Sequence, residues 1–196
     1  MSSNLVRWGG IGAVGAGLIF VTLILLNWQT SLTGSSFLTD ALSTILLIVA
    51  LLGQMAGIAG LHTLQRERYG RLGAVGALLA FVGIALQLIL GIVASALDLS
   101  TSEAASLTFA LLLLLGLLAL FVGFVLLGIA TLRAGVMPRW FGVLLIVGLF
   151  VVAVLVGIQL VFIGMLAYGV FWVLIGYMLL SVRGTELPRS ERAGSG

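Results

Sequence analysis

WFGVLLIVGLFVVAVLVGIQLVFIGMLAYGVFWVLIGYMLL, the stretch from Trp140 to Leu180, runs for 41 residues without a charged side chain. As one helix it would be ~60 Å long, about twice the ~30 Å hydrocarbon core of a bilayer. It is therefore read as two spans folded into a hairpin. Gly157, Gln159 and Gly164 interrupt the apolar run, and the turn is placed near Gly157 to Leu160. With the hairpin, the arginines that bracket the run, Arg139 and Arg183, return to the same side of the membrane.

The same logic extends to the rest of the chain. All nine basic residues are arginines. Arg7 precedes the first apolar run; Arg66, Arg68 and Arg71 separate the second from the third; Arg133 and Arg139 separate the fourth from the fifth; Arg183, Arg189 and Arg192 follow the sixth. The alternate connections carry only Asp40, Asp98 and Glu103. Basic residues near helix ends are retained on the cytoplasmic side, so Arg7, Arg66, Arg68, Arg71, Arg133, Arg139 and Arg183 are read as inner-surface anchors, with both termini cytoplasmic. The fold class expected is an all-α, six-span transmembrane bundle over residues 1–183. Its spans fall near 8–28, 40–64, 72–96, 106–132, 140–157 and 161–181, and a flexible polar tail occupies 184–196.

Composition agrees: 62% of the 196 residues are hydrophobic and 8% charged, a balance that belongs to the bilayer. Six spans consume nearly the whole chain, so function must come from the helices and their loops. The net charge of +3 is dispersed over membrane-edge segments with few aromatics among them, which fits anionic lipid headgroups and excludes a nucleic-acid surface. There is no cysteine, hence no thiolate metal site or cysteine nucleophile. The first apolar run follows Arg7 as a signal sequence would, but it is long for one and no Ala-x-Ala site follows, so it is read as a retained first helix.

Local signals refine the boundaries. Trp8 and Trp28 bracket the first span as an aromatic belt would, and Thr39 or Asp40 can cap the second. Ser100 and Glu103 have capping-box spacing before the fourth. Gly135 and Pro138 fit a helix end and a helix start, making 134–139 a tight inner turn. A repeat is also visible. Arg7, Arg71 and Arg139 each begin a glycine-rich apolar hairpin, and Gly57-Ile-Ala-Gly-Leu61, Gly128-Ile-Ala-Thr-Leu132 and Gly176-Tyr-Met-Leu-Leu180 stand at corresponding places near the hairpin ends.

Arg133-Ala-Gly-Val-Met-Pro-Arg-Trp-Phe-Gly142, with the hairpin after it ending in Gly176-Tyr177, resembles the C-terminal part of a group of uncharacterised bacterial six-helix integral membrane proteins, mainly over residues 124–183. The resemblance implies six helices and a bacterial origin. It transfers no activity and no functional residue.

Candidate sites are few. Gly53 and Gly57 in the second span form a GxxxG pair with Gly60 beside it, Gly76 and Ala80 repeat that spacing in the third, and Gly83, Gln87, Gly91 and Ser95 follow one another at four-residue steps; small residues so spaced let helix backbones approach. They are read as packing positions within the bundle, with a homo-oligomer or membrane-protein partner face as the alternative. Gln54 and Gln87 are the deep amides, each expected to bond a backbone carbonyl or a hydroxyl on a neighbouring helix. Helical rise puts them ~15 Å apart in depth, so they should not touch. Tyr168, Phe171 and Trp172 form an aromatic cluster, which is either packing or the wall of an apolar ligand pocket. His62 has no second histidine, cysteine or nearby acid to complete a metal or haem site and is read as an interface residue.

No acid or base lies near the bilayer centre, where ion-coupled transporters and pumps place one. No serine or tyrosine has a base beside it, and Gly10, Gly12 and Gly15 match GxGxxG only inside a span. The sequence therefore predicts no enzyme, cofactor or metal. It reads as a bacterial inner-membrane protein with a non-catalytic accessory, scaffolding or lipid-binding role. The alternative is a small transporter or channel for an apolar or uncharged solute, using Gln54, Gln87, Tyr168 and Trp172.

Overall fold

The computed structural model describes residues 2–34, 37–68, 70–96 and 103–184, and they form six α-helices: α1 (Ser2–Thr33), α2 (Phe37–Gln65), α3 (Gly70–Ala96), α4 (Glu103–Ala134), α5 (Arg139–Gly157) and α6 (Val161–Gly184). Each is long and apolar enough to cross a membrane, so the chain is a multi-pass membrane protein. Ser100 and the tail beyond Gly184 lie outside the described residues.

Several helices outrun their apolar cores. Residues 29–33, expected in a connection, continue α1, and their hydroxyls are satisfied by carbonyls of the preceding turn: Thr30 donates to Asn27 at 3.0 Å, Ser31 to Trp28 at 2.7 Å and Thr33 to Gln29 at 3.0 Å. Helix α2 begins at Phe37, so Thr39 and Asp40 lie within its first turn instead of capping it; Asp40 there still complements the positive end of the helix dipole. Helix α4 begins at Glu103, three residues ahead of the apolar run. At the other end of α4, Gly135 is left-handed (φ +62°) and Pro138 enters α5 with φ −54° and ψ 142°, the expected glycine stop and proline start.

The α5–α6 turn is tight. Ile158, Gln159 and Leu160 donate their N–H groups to the carbonyls of Val154, Val156 and Leu155. Its one left-handed residue is Gln159 (φ 67°), while Gly157 simply closes α5.

Each helix packs antiparallel to its neighbour in sequence, and α6 closes against α1, completing a ring. The seams form where glycines meet. A methyl group at Gly53 of α2 would stand 2.5 Å from the Gly12 carbonyl oxygen of α1, one at Gly83 of α3 would stand 2.6 Å from that of Gly116 on α4, and one at Gly176 of α6 would stand 2.6 Å from that of Gly10 on α1. Side chains on those faces would push the backbones apart. Gly57 and Gly60 share the α1 seam, Gly57 also lying against Trp172, and Gly76 meets Gly123 of α4. The α2 glycine face that could have met a second copy is thus covered by α1. Gly91 departs from the packing expectation: its nearest neighbour is Leu47 Cδ2, at 3.7 Å from where a Cβ would sit, so no backbone approaches it.

All the described arginine positions fall at one end of the ring, in or beside the first turn of α1, α3 and α5, the last turn of α4 and α6, and the α2–α3 connection. The side chains of Arg7, Arg66, Arg68, Arg71, Arg133 and Arg139 are exposed there.

Candidate functional site: an apolar chamber

Two layers fill the ring. In the half nearer the arginines, the side chains close together: Phe124 of α4 meets Phe171 and Trp172 of α6 edge-on, with ring centroids 5.4 and 5.7 Å apart, and Ile84, Leu127, Leu145 and Ile175 are buried in the same core. Toward the opposite end the ring is hollow. A cavity of about 670 Å³ lies there, within the ~300–1,000 Å³ typical of small-molecule sites. All six helices contribute to its wall, from Phe20 of α1 and Leu47 and Leu51 of α2 to Met165 and Tyr168 of α6.

The hollow follows from how α4 and α5 part. They begin in contact, where a methyl at Gly128 would stand 2.7 Å from the Gly142 carbonyl oxygen. About two turns farther on they meet through phenylalanines, Phe121 and Phe150, with centroids 6.3 Å apart, and bulky rings hold helices wider than glycines do. From that pairing, antiparallel packing brings the end of α5 level with Leu114, leaving residues 103–113 of α4 to continue for roughly 16 Å with no part of α5 beside them. Leu114, Leu117 and Leu118 of α4 and Ala153 and Gly157 of α5 both line the cavity and are exposed. The chamber thus has exposed lining along α4 and α5, and Met165 of α6, also exposed, lines it as well. A smaller cleft of about 260 Å³ adjoins it through Phe20, Leu47 and Met165 and adds Asn27, Ser43 and Thr44.

Polar groups sit at two points on the chamber. Tyr168 lies at its base, with its ring edge-on to Phe20 (4.9 Å) and Trp172 (6.3 Å), and its hydroxyl donates to Gln54 Oε1 at 3.1 Å. Gln87 lines the α3 wall. Among the described residues, Gln54 Nε2, Gln87 Nε2 and Trp172 Nε1 are buried without a hydrogen-bond partner.

The four sequence-derived site residues are thus divided. Gln87 and Tyr168 face the chamber, whereas Gln54 lies behind Tyr168 and Trp172 beneath it, neither on the wall. Gln54 gains the expected hydroxyl partner on its oxygen only. Gln87 Nε2 lacks the partner expected for it and is itself occluded, although the residue borders the cavity. No hydrogen bond joins the two amides. Gly91, expected to pack, belongs to the chamber wall one turn beyond Gln87.

A second polar cluster escaped sequence reading. Gln65, at the end of α2, is fully buried; its Nε2 donates to Met137 Sδ at 3.2 Å, and the Thr131 hydroxyl lies 2.9 Å from its Oε1 and 2.8 Å from the Leu127 carbonyl oxygen. One hydroxyl hydrogen serves either acceptor. The cluster ties α2 to α4 and to the α4–α5 connection. Its only signal in sequence is a glutamine directly before an Arg-Glu-Arg, which reads as loop.

Among the described residues no group of three or more His, Asp or Glu side chains could hold a metal ion. His62 is partly buried near the end of α2. The chain matches no described protein family, no curated protein and no solved structure.

Proposed function

We propose that this is a non-catalytic lipid-binding protein of the bacterial inner membrane, with both termini cytoplasmic, that takes an apolar chain from the bilayer into the chamber between its helices. The observation that carries this reading is the chamber itself: about 670 Å³, walled by apolar side chains, with exposed lining along α4 and α5. A void of this size in a packed bundle forfeits dispersion contacts along its whole lining, and an apolar occupant restores them. The arginine rim supports the orientation and contact with anionic headgroups. Transport of an apolar or uncharged solute is the second reading, favoured by the cleft at Asn27, Ser43 and Thr44. It requires the Phe124, Phe171 and Trp172 layer to part.

Trp172 provides the test. It is 0% exposed beneath the chamber, whereas Trp8, Trp28 and Trp140 are 67%, 60% and 50% exposed. In a protein with those three changed to Phe, reconstituted in discs of unbrominated phospholipid, 9,10-dibromooctadecane should quench Trp172 fluorescence saturably. Gly91→Leu, which places a side chain into the hollow, should abolish that quenching while the protein stays folded. Quenching that rises linearly with probe, or survives Gly91→Leu, would remove the chamber as a ligand site.

A further inference from the structure

We infer that the chamber selects an uncharged lipid whose polar end is a carbonyl group, and that Gln87 is the donor that holds it. The inference rests on the chamber being a ligand site, and it adds what kind of ligand.

The site carries a surplus of hydrogen-bond donors. Its three unpartnered buried polar atoms, Gln54 Nε2, Gln87 Nε2 and Trp172 Nε1, are all N–H donors. Each asks for an acceptor. The Tyr168 hydroxyl hydrogen is already committed to Gln54 Oε1, so it does not compete for one. Of the three, only Gln87 belongs to a residue on the chamber wall. The terminal torsion of a glutamine is broad and two-fold, so its amide can present Nε2 to an occupant by turning about one bond.

The neighbouring positions leave room for this. Gly83, one turn toward the arginines, is filled by the α4 backbone, whereas Gly91, one turn outward, has only Leu47 Cδ2 near it. The missing side chain at Gly91 exposes the flank of Gln87 to whatever enters.

Charge narrows the ligand further. Among the described residues no arginine, histidine or acid lines the chamber, so against that wall an anionic or cationic head would give up hydration with no countercharge. An alcohol would bring a further donor to a site whose surplus is donors. An ester or ketone carbonyl brings acceptors alone, and its chain remains in apolar surroundings, reaching through the gap between α4 and α5.

The probes that decide this share one chain. Methyl 9,10-dibromooctadecanoate carries an ester carbonyl and 9,10-dibromooctadecane none. In the single-tryptophan protein the ester should bind about tenfold more tightly, the order expected of one hydrogen bond formed in an apolar site. Gln87→Leu should bring the two probes to within about twofold by weakening the ester alone. Gln87→Met is a second, unbranched replacement if the leucine variant melts early. Equal affinities in the unsubstituted protein would overturn the carbonyl inference and leave the chamber as an unselective apolar site. An ester preference that persists in both variants would overturn the role of Gln87. Saturable quenching by neither probe would overturn the chamber reading and this inference together.

Discussion

At the scale of single residues, the buried amides show how strongly a low-dielectric interior penalises partial satisfaction. Gln54 has one acceptor used and one donor idle. Tyr168→Phe would leave the amide wholly unpartnered and should lower stability by about 1 kcal/mol. Adding Gln54→Leu should recover most of that loss, because no polar group then remains to be satisfied. Thermal unfolding of the two single variants and the double in detergent checks the cycle, and additive losses would show that the 3.1 Å contact contributes nothing. Gln65 is buffered differently. Without it, the Thr131 hydroxyl keeps the Leu127 carbonyl as its acceptor.

At the scale of helices, glycine marks where axes converge, and large side chains mark where they part. A methyl at Gly53 would stand 2.5 Å from the Gly12 carbonyl oxygen, whereas one at Gly15, on α1 itself, would meet nothing within 4 Å. Gly53→Ala should therefore cost about 1–3 kcal/mol through overpacking, and Gly15→Ala should be neutral or slightly stabilising through helix propensity. Melting temperatures of the two variants report the contrast; equal effects would mean that the α1–α2 seam does not depend on backbone approach. The six helices are legible in the sequence because the 41-residue apolar run between Trp140 and Leu180 is too long for one span, and the glycine spacing marks the faces that pack. The chamber is not legible. It arises from the divergence of α4 and α5 after Gly128 and Gly142, and that depends on Phe121 meeting Phe150 across two helices whose register no local pattern reveals. Gln87 could be flagged as a deep amide, but whether it faced a helix or a hollow waited on that register. Gln54 and Tyr168, 114 residues apart, became partners only through the closure of the ring.

At the scale of the whole molecule, exposed arginines gather at one end while the chamber occupies the other half, so orientation decides which leaflet supplies a ligand. On the proposed orientation, with both termini cytoplasmic, the gap between α4 and α5 would face the outer leaflet. Thr33→Cys and Gln159→Cys should then react with an impermeant maleimide added to intact cells, and Glu67→Cys should react only after the membrane is opened. All three positions are exposed. The reverse pattern would invert the protein and place the chamber in the cytoplasmic leaflet. Charge placement carries this expectation because it acts through each loop separately and needs no knowledge of tertiary contacts.

The closure of α6 against α1 also bears on how the protein is made. Helix α1 enters the membrane before α6, yet the glycines it offers to that helix, Gly10 and Gly17, face their partners Gly176 and Gly169 only once α6 has been synthesised. Throughout the insertion of α2 to α5, α1 has one seam filled and one bare. A chain that lacks α6 therefore leaves the Gly10 and Gly17 face of α1 without its partner helix.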